Sequence, residues 1–441
     1  MKTTVPFCLF LGLVRSQDIL QLANPLWWIG RMGTADKIPQ QPIIITTTTE
    51  PPPVLTTAEI LFDLGPVLQT VYSVEDPVAK SNYIVSPLSS AILLSNMLVA
   101  TTSMHYNFIV GLLKLPKHLG KKYHMNFLID LHDMIHTMVN DVDNFKCSMK
   151  GAFFFKNEAD LADHFLASTI RFFQTDIVGS DFTDIEKSYL NADHWLSRYT
   201  ADHITRVPEG SITPLTECLM YQATVFETSW QFQLRKRPRR EFDVKPFKKI
   251  KTTFYEGVIH NAFYVTNAKY TVLAIPDLNT KVWLHIILPE GDDWIKYEVR
   301  TFSEKLNHND LNVIDHAQPV NGVKVKIPDI FPISLTFDLL KPVLNYKNTE
   351  NLQYSLPPST EFRLDEAGLN LSGAYQFLYF NINVTESKEA NKQKPEKTFE
   401  VDRPFVFFLR HKETNAMLLW GSISDPSQVE KPTSGQKKPD K

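Results

Sequence analysis

Two imidazoles four residues apart, in His132-Asp-Met-Ile-His136, come nearest in this 441-residue chain to the spacing of a catalytic device. On a helix they would share one face, as two zinc ligands do. Hydrolysis by such a pair needs a glutamate directly after the first histidine as general base, and here the shorter Asp133 stands in that place. A polar helix face accounts for the pair without metal, so no metal or other cofactor is expected. There is no Gly-x-Ser-x-Gly elbow, phosphate loop or Cys-x-x-Cys pair. The chain reads as a non-enzyme.

The remaining chemistry is electrostatic. Arg235, Lys236, Arg237, Arg239 and Arg240 are followed closely by Lys248 and Lys249. Clustered cations attract sulfated or phosphorylated polyanions, and a glycosaminoglycan is the partner this segment suggests; a solvated hairpin is the plainer reading. The net charge of -3 argues against a general nucleic-acid binder.

These residues must be carried by folded elements, and a hydrophobic fraction of 43% supplies a core. Residues 1–16 read as a secretory signal: Lys2, an apolar stretch from Val5 to Val14, then a cut before Gln17. No later segment reads as a membrane span, so a secreted, extracellular protein is expected. Residues 17–57 are rich in threonine and proline and suit an extended tail, with Trp27 and Trp28 read as a patch that docks on the domain in preference to a partner-binding anchor. Folding is expected from Ala58, where Ile60, Leu61, Leu64 and Leu68 recur at helical spacing. The mature chain keeps Cys147 and Cys218, which could be bridged or free. Near the carboxyl end, the strand-like run Phe377–Val384 gives way to a polar stretch, Thr385 to Thr398, and then to the apolar run Phe399–Arg410. A polar loop between buried strands is where function is expected.

Several segments resemble one family in order along the chain. Asn82 with Ser86-Pro-Leu-Ser89, the run Asn191–Ile204, Gln222-Ala-Thr-Val-Phe-Glu-Thr-Ser-Trp230, Val325-Lys-Ile-Pro-Asp329 and Arg403-Pro-Phe-Val-Phe-Phe-Leu-Arg-His411 are each similar to segments of the serpin family. The resemblance covers 58–426 as one domain, with 427–441 as a polar tail. It implies an α+β serpin fold: three β-sheets, eight to nine α-helices and an exposed reactive-centre-like loop, in a monomer.

Inhibitory serpins insert their cleaved loop as a new central strand of the large sheet, and the resemblance places that loop after Val384. The hinge then comprises Val384, Thr385, Glu386, Ser387, Lys388 and Glu389. Two registers fit, one with Val384 and one with Glu386 where the family has glycine. Neither restores the glycine, and the family's alanines become Ser387, Lys388 and Glu389. Inward-facing positions on insertion would include Glu389, whose unpaired burial costs several kcal/mol, and Pro395, which removes a ladder hydrogen bond. Ser86, Ser89, Gln222 and Trp230 match the residues at which the family's sheet opens. Gln222 replaces an asparagine, and its histidine partner is Ala374 or Gln376, depending on register. The expected role is a binding, carrier or regulatory one without inhibition. The alternative is an inhibitor of an extracellular trypsin-like protease, with Lys397-Thr398 as scissile bond. Asn370 and Asn383 lie in N-glycosylation sequons.

Overall fold

The computed structural model describes residues 54–75, 82–116, 120–141, 145–230, 233–245, 248–290, 299–345, 361–384 and 394–429. Helix α1 (Thr57–Glu75) buries Ile60, Leu61, Leu64 and Leu68, the stripe that its spacing predicts. Ser86 caps α2 (Pro87–Ala100), its hydroxyl accepting the Ser89 amide, and Pro87 occupies the first turn, where a missing N–H costs nothing. Because α2 is apolar nearly all round, it is buried along its length and forms the axis of the core. The other helices are α3 (Ser103–Leu112), α4 (Gly120–Asn140), α5 (Asp163–Phe173), α6 (Ile185–Tyr199), α7 (Val299–Ser303), α8 (His308–Asp315) and α9 (Leu340–Asn345).

Three sheets surround this core. The first is antiparallel, in the order β1 (Asn82–Val85), β17 (Met417–Ile423), β16 (Phe405–His411), β9 (Val282–Pro289), β8 (Tyr270–Pro276), β7 (Ala262–Thr266) and β10 (Gln318–Val320). The second runs β15 (Lys397–Glu400), β11 (Val323–Pro328), β6 (Lys248–Ile259) and β5 (Gln233–Lys245). The third runs β12 (Ile333–Asp338), β14 (Leu369–Val384), β4 (Cys218–Trp230), β2 (Phe145–Lys156) and β3 (Asp176–Ser180), with β13 (Phe362–Leu364) on β14. β4 is buried on both faces over most of its length: one face packs toward α2, and the other puts Leu219 and Tyr221 against Trp195 and Leu196 of α6.

The structure alters some sequence expectations. Phe399–Arg410 is not one strand: the chain leaves β15 after Glu400 and enters a different sheet at Phe405, with Pro404 between. Cys147 and Cys218, for which the sequence leaves both states open, are free. Cys147 faces Phe226 and Cys218 faces Phe155, so they lie at opposite ends of one antiparallel ladder. At roughly 3.3 Å per residue, that separation is far beyond disulfide reach.

The core also holds four buried histidines. Burial pushes His105, His124, His285 and His411 below the ordinary imidazole range, His285 the furthest and with Arg410 adding to the effect. Their neutral forms are favoured by folding, whereas the unfolded chain takes up protons normally. Stability should therefore be complete above about pH 6.5 and fall as pH drops, each histidine contributing up to about 1.4 kcal/mol per pH unit. Urea midpoints measured from pH 7.5 to 5.5 should decline; a flat or rising profile would contradict this assignment.

Candidate functional site

The seam between β14 and β4 is the place where such a sheet would admit another strand. The two strands are parallel and paired without a gap from Gly373 against Leu219 to Val384 against Trp230. Past the bulge at Leu371–Gly373, from Ala374 onward, the even-numbered residues of β14 face α2, and among them Gln376 is fully buried amid aromatic and aliphatic neighbours. Its amide grips the start of α2. Oε1 accepts the Ser86 N–H at 3.0 Å, while Nε2 donates to the Ser86 carbonyl at 2.9 Å and to Ser90 Oγ at 3.1 Å. Next to it, Ser89 Oγ lies 2.8 Å from Thr224 Oγ1 of β4. Both strands are thus tied to one helix end from beneath.

Gln376, not Ala374, is the Cα partner of Gln222. Gln222 is buried, yet its amide makes only a long bond to the adjacent Ala223 carbonyl, 3.3 Å. Trp230 is buried at the end of β4. Gln376 is therefore the polar residue that holds this region, a role that sequence reading divided between two registers. An amide isolated within the run from Tyr375 to Phe380 was the available signal, since a buried amide requires partners.

A second tie crosses the seam from the opposite face. His203, beyond α6, stacks on Tyr379 of β14 with ring centroids 3.6 Å apart and an interplanar angle of 3°. Its Nε2 lies 3.5 Å from Glu227 Oε1 of β4, and Lys146 pairs with the same glutamate at 2.7 Å. Nothing local in the sequence marks His203 for this position.

Of the hinge, Val384 ends β14, paired with Trp230, while Thr385, Glu386, Ser387, Lys388 and Glu389 lie outside the described residues. Lys397 and Thr398 belong to β15, where they pair in parallel with Val323 and Lys324 of β11. The Glu396 N–H donates to the Gly322 carbonyl at 2.9 Å, and Lys397 Nζ sits 5.6 Å from the centre of the Tyr264 ring. The segment between β14 and β15 is twelve residues long, 385–396.

The basic segment forms the edge of the second sheet. Leu234, Phe242 and Val244 point into the core and the cations point out. A bulge between Arg237 and Arg240 includes Arg239, whose φ of 57° is left-handed. Three cations are already paired: Lys236 with Asp329 at 3.2 Å, Arg240 with Glu256 at 2.9 Å, and Lys249 with Glu241 at 3.0 Å. Among the described residues, Arg235, Arg237, Arg239 and Lys248 have no carboxylate at ion-pair distance.

His132 and His136 lie on α4, as their spacing predicts. His132 Nδ1 is 2.9 Å from the Phe172 carbonyl and His136 contacts Asn140. Among the described residues no group of three or more His, Cys, Asp or Glu could hold a metal, and no helix is long and apolar enough to cross a membrane. Asn370 is half-buried in β14, whereas Asn383 is exposed near its end. A cavity of about 90 Å³ lies beside the end of α8, lined by Phe263, Trp283, His285, Asp315 and Arg410.

A six-stranded sheet closed over a buried helix, with the chain passing from its long strand β14 to the edge strand β15 of a second sheet, defines the serpin class. A family model described as Serpin (serine protease inhibitor) matches residues 67–426, and the chain belongs to that family. Serpin B6 of Macaca fascicularis is 22% identical over 322 residues, 67% of this chain and 82% of that protein. Among solved structures, native protease nexin-1 with heparin aligns with a TM-score of 0.65 and 18% identity, covering 84% of this chain and 99% of that one. Thyroxine-binding globulin in complex with thyroxine aligns with a TM-score of 0.67 and 17% identity, at the same coverages.

Proposed function

We propose that this serpin is a secreted binding protein without protease-inhibitory activity, and that its basic hairpin takes a sulfated polyanion. The observation that carries the first part is the sequence after Val384, which lacks the family's glycine and brings Glu389 and Pro395 to inward positions; the seam it would have to enter is closed, tied to α2 by Gln376, Ser89 and Thr224 and bridged outside by His203. Pairing of Gln376 with Gln222 supports the register with Glu386 at the family's glycine position. A charged hinge opposes the backbone rotation and burial that insertion needs. The competing role, inhibition of an extracellular trypsin-like protease at Lys397-Thr398, requires that bond to enter a protease cleft as extended chain. Both residues would first have to leave β15.

A carrier of an enclosed hormone-sized molecule is the weaker form of the binding role. Thyroxine-binding globulin is named for such a ligand, but the cavity beside α8, about 90 Å³ here, falls well short of the roughly 300–1,000 Å³ of typical small-molecule sites, and the larger cleft of about 400 Å³ at the end of β4 is open and lined largely by charged and polar side chains. An exposed charged surface is better suited. Heparin is present in the protease nexin-1 structure, and here Arg235, Arg237 and Arg239 project from a strand edge without carboxylate partners among the described residues. Lys236, Arg240 and Lys249 contribute less because their charges are neutralised locally.

The test is retention on immobilised heparin. The triple variant R235A/R237A/R239A should elute at markedly lower salt, and K236A/R240A/K249A should shift less. Salt-insensitive retention, or equal shifts from the two triples, would overturn the assignment.

A further inference from the structure

We infer that Asn383 carries an N-linked glycan whose first sugar lies in a cleft at the end of the third sheet. The inference rests on the secretory reading of residues 1–16, because only a chain entering that pathway meets the modifying machinery.

The two sequons are not equivalent in the fold. Asn370 Nδ2, the atom that would be glycosylated, donates to Glu361 Oε2 at 2.7 Å, and the backbone N–H of Asn370 donates to Glu217 Oε2 at 2.6 Å. The residue sits within β14, paired on one side with Arg363 of β13. Modifying it would strip a hydrogen bond from a half-buried strand. Asn383 is exposed, its Oδ1 accepts from Asn381 Nδ2 at 3.0 Å, and its Nδ2 has no hydrogen-bond partner among the described residues.

The surroundings of Asn383 supply the second observation. It borders a cleft of about 400 Å³ that runs from β14 across the end of β4 to β2 and the end of α4. Val139, 41% exposed, offers an apolar surface there, while Asp141, Lys146, Glu227 and Ser229 line it with charges and a hydroxyl. A sugar ring needs that combination: an apolar patch for one face and hydrogen-bonding groups around its edge. The partner is covalently supplied at the rim, so no separate ligand has to be found. Attachment uses a lipid-linked oligosaccharide pyrophosphate. A bond forms between Asn383 Nδ2 and the sugar C1, the C1–O bond to the pyrophosphate breaks with its electron pair leaving on the lipid pyrophosphate, and one amide proton is released. The product is a strap rooted on β14 and lying over β4, across the end of the seam described above.

The test uses the full chain expressed in mammalian cells. After enzymatic glycan release from the secreted protein, Asn383 should be read by mass spectrometry as aspartate and Asn370 as unchanged asparagine. Amine acylation of the native protein should label Lys146 severalfold more slowly than in Thr385→Ala, which removes the acceptor signal and leaves Asn383 in place. Lys156, at the far end of β2, is the internal reference. A chain confined to the cytosol overturns the secretory reading and the glycan with it. A secreted chain unmodified at Asn383 overturns the glycan alone, and equal labelling of Lys146 in the two proteins overturns its seating in the cleft.

Discussion

Cutting the 385–396 segment with a nonspecific protease should leave the melting temperature unchanged to within the roughly 2–4 °C that about 1 kcal/mol moves a large domain. An inserting serpin would gain a strand between β14 and β4, with main-chain hydrogen bonds on both sides. Here the donor segment has twelve residues against the thirteen of β4, and part of it must form the reversing turn. At inward positions it brings Ser387, Glu389, Asn391, Gln393 and Pro395. The carboxylate of Glu389 would enter a region lined by Gln376, Gln222 and Thr224, where no cation has been identified among the described residues. Several kcal/mol of desolvation outweigh what the first few strand residues return. A rise of about 10 °C or more, equivalent to several kcal/mol, or an SDS-stable complex with a trypsin-like protease would sink the non-inhibitory reading.

Gln376→Leu should be the most damaging polar-to-apolar exchange of similar volume at the seam, lowering stability by about 1–3 kcal/mol. The Ser86 N–H would lose its acceptor in a fully buried position, whereas the Ser86 carbonyl would keep the Ser90 N–H at 3.0 Å. Gln222→Leu should cost less than about 1 kcal/mol, because that amide makes only a weak bond to the adjacent carbonyl. Urea unfolding of the two variants compares them directly. If Gln376→Leu is no worse than Gln222→Leu, the clamp on α2 is not what holds the seam. The same variant tests whether the seam resists strand entry, since loosening β14 from α2 should make any gain on loop cleavage larger.

The two effects arise at different levels. Resistance to insertion comes chiefly from side chains readable in order along the chain: the missing glycine, the charge at Glu389 and the ring of Pro395. The clamp comes from residues 290 positions apart, and no local pattern connects them. The two glutamines at the seam therefore differ in what they hold. Among the described residues Gln222 makes one long bond to its neighbour, while Gln376 makes three to the start of α2.

The sequence alone determined the elements whose cause is local. Ser86-Pro87 starts a helix because one residue caps it and the next has no N–H to waste. The succession of segments from Asn82 to His411 identifies the family and hence the three-sheet fold. Register, neutralisation and accessibility were decided only by tertiary structure. Two alignments of β14 two residues apart put the same side chains on the same face, so alternation could not choose between Ala374 and Gln376; packing against α2 did. Composition gave Lys236 and Arg237 equal weight, yet folding brings Asp329 to the first and leaves the second without a carboxylate partner among the described residues. Lys397 and Thr398 looked like loop until a parallel partner 74 positions earlier made them strand. Each of these depends on which distant segment lies alongside, and that is a property of the whole packed core.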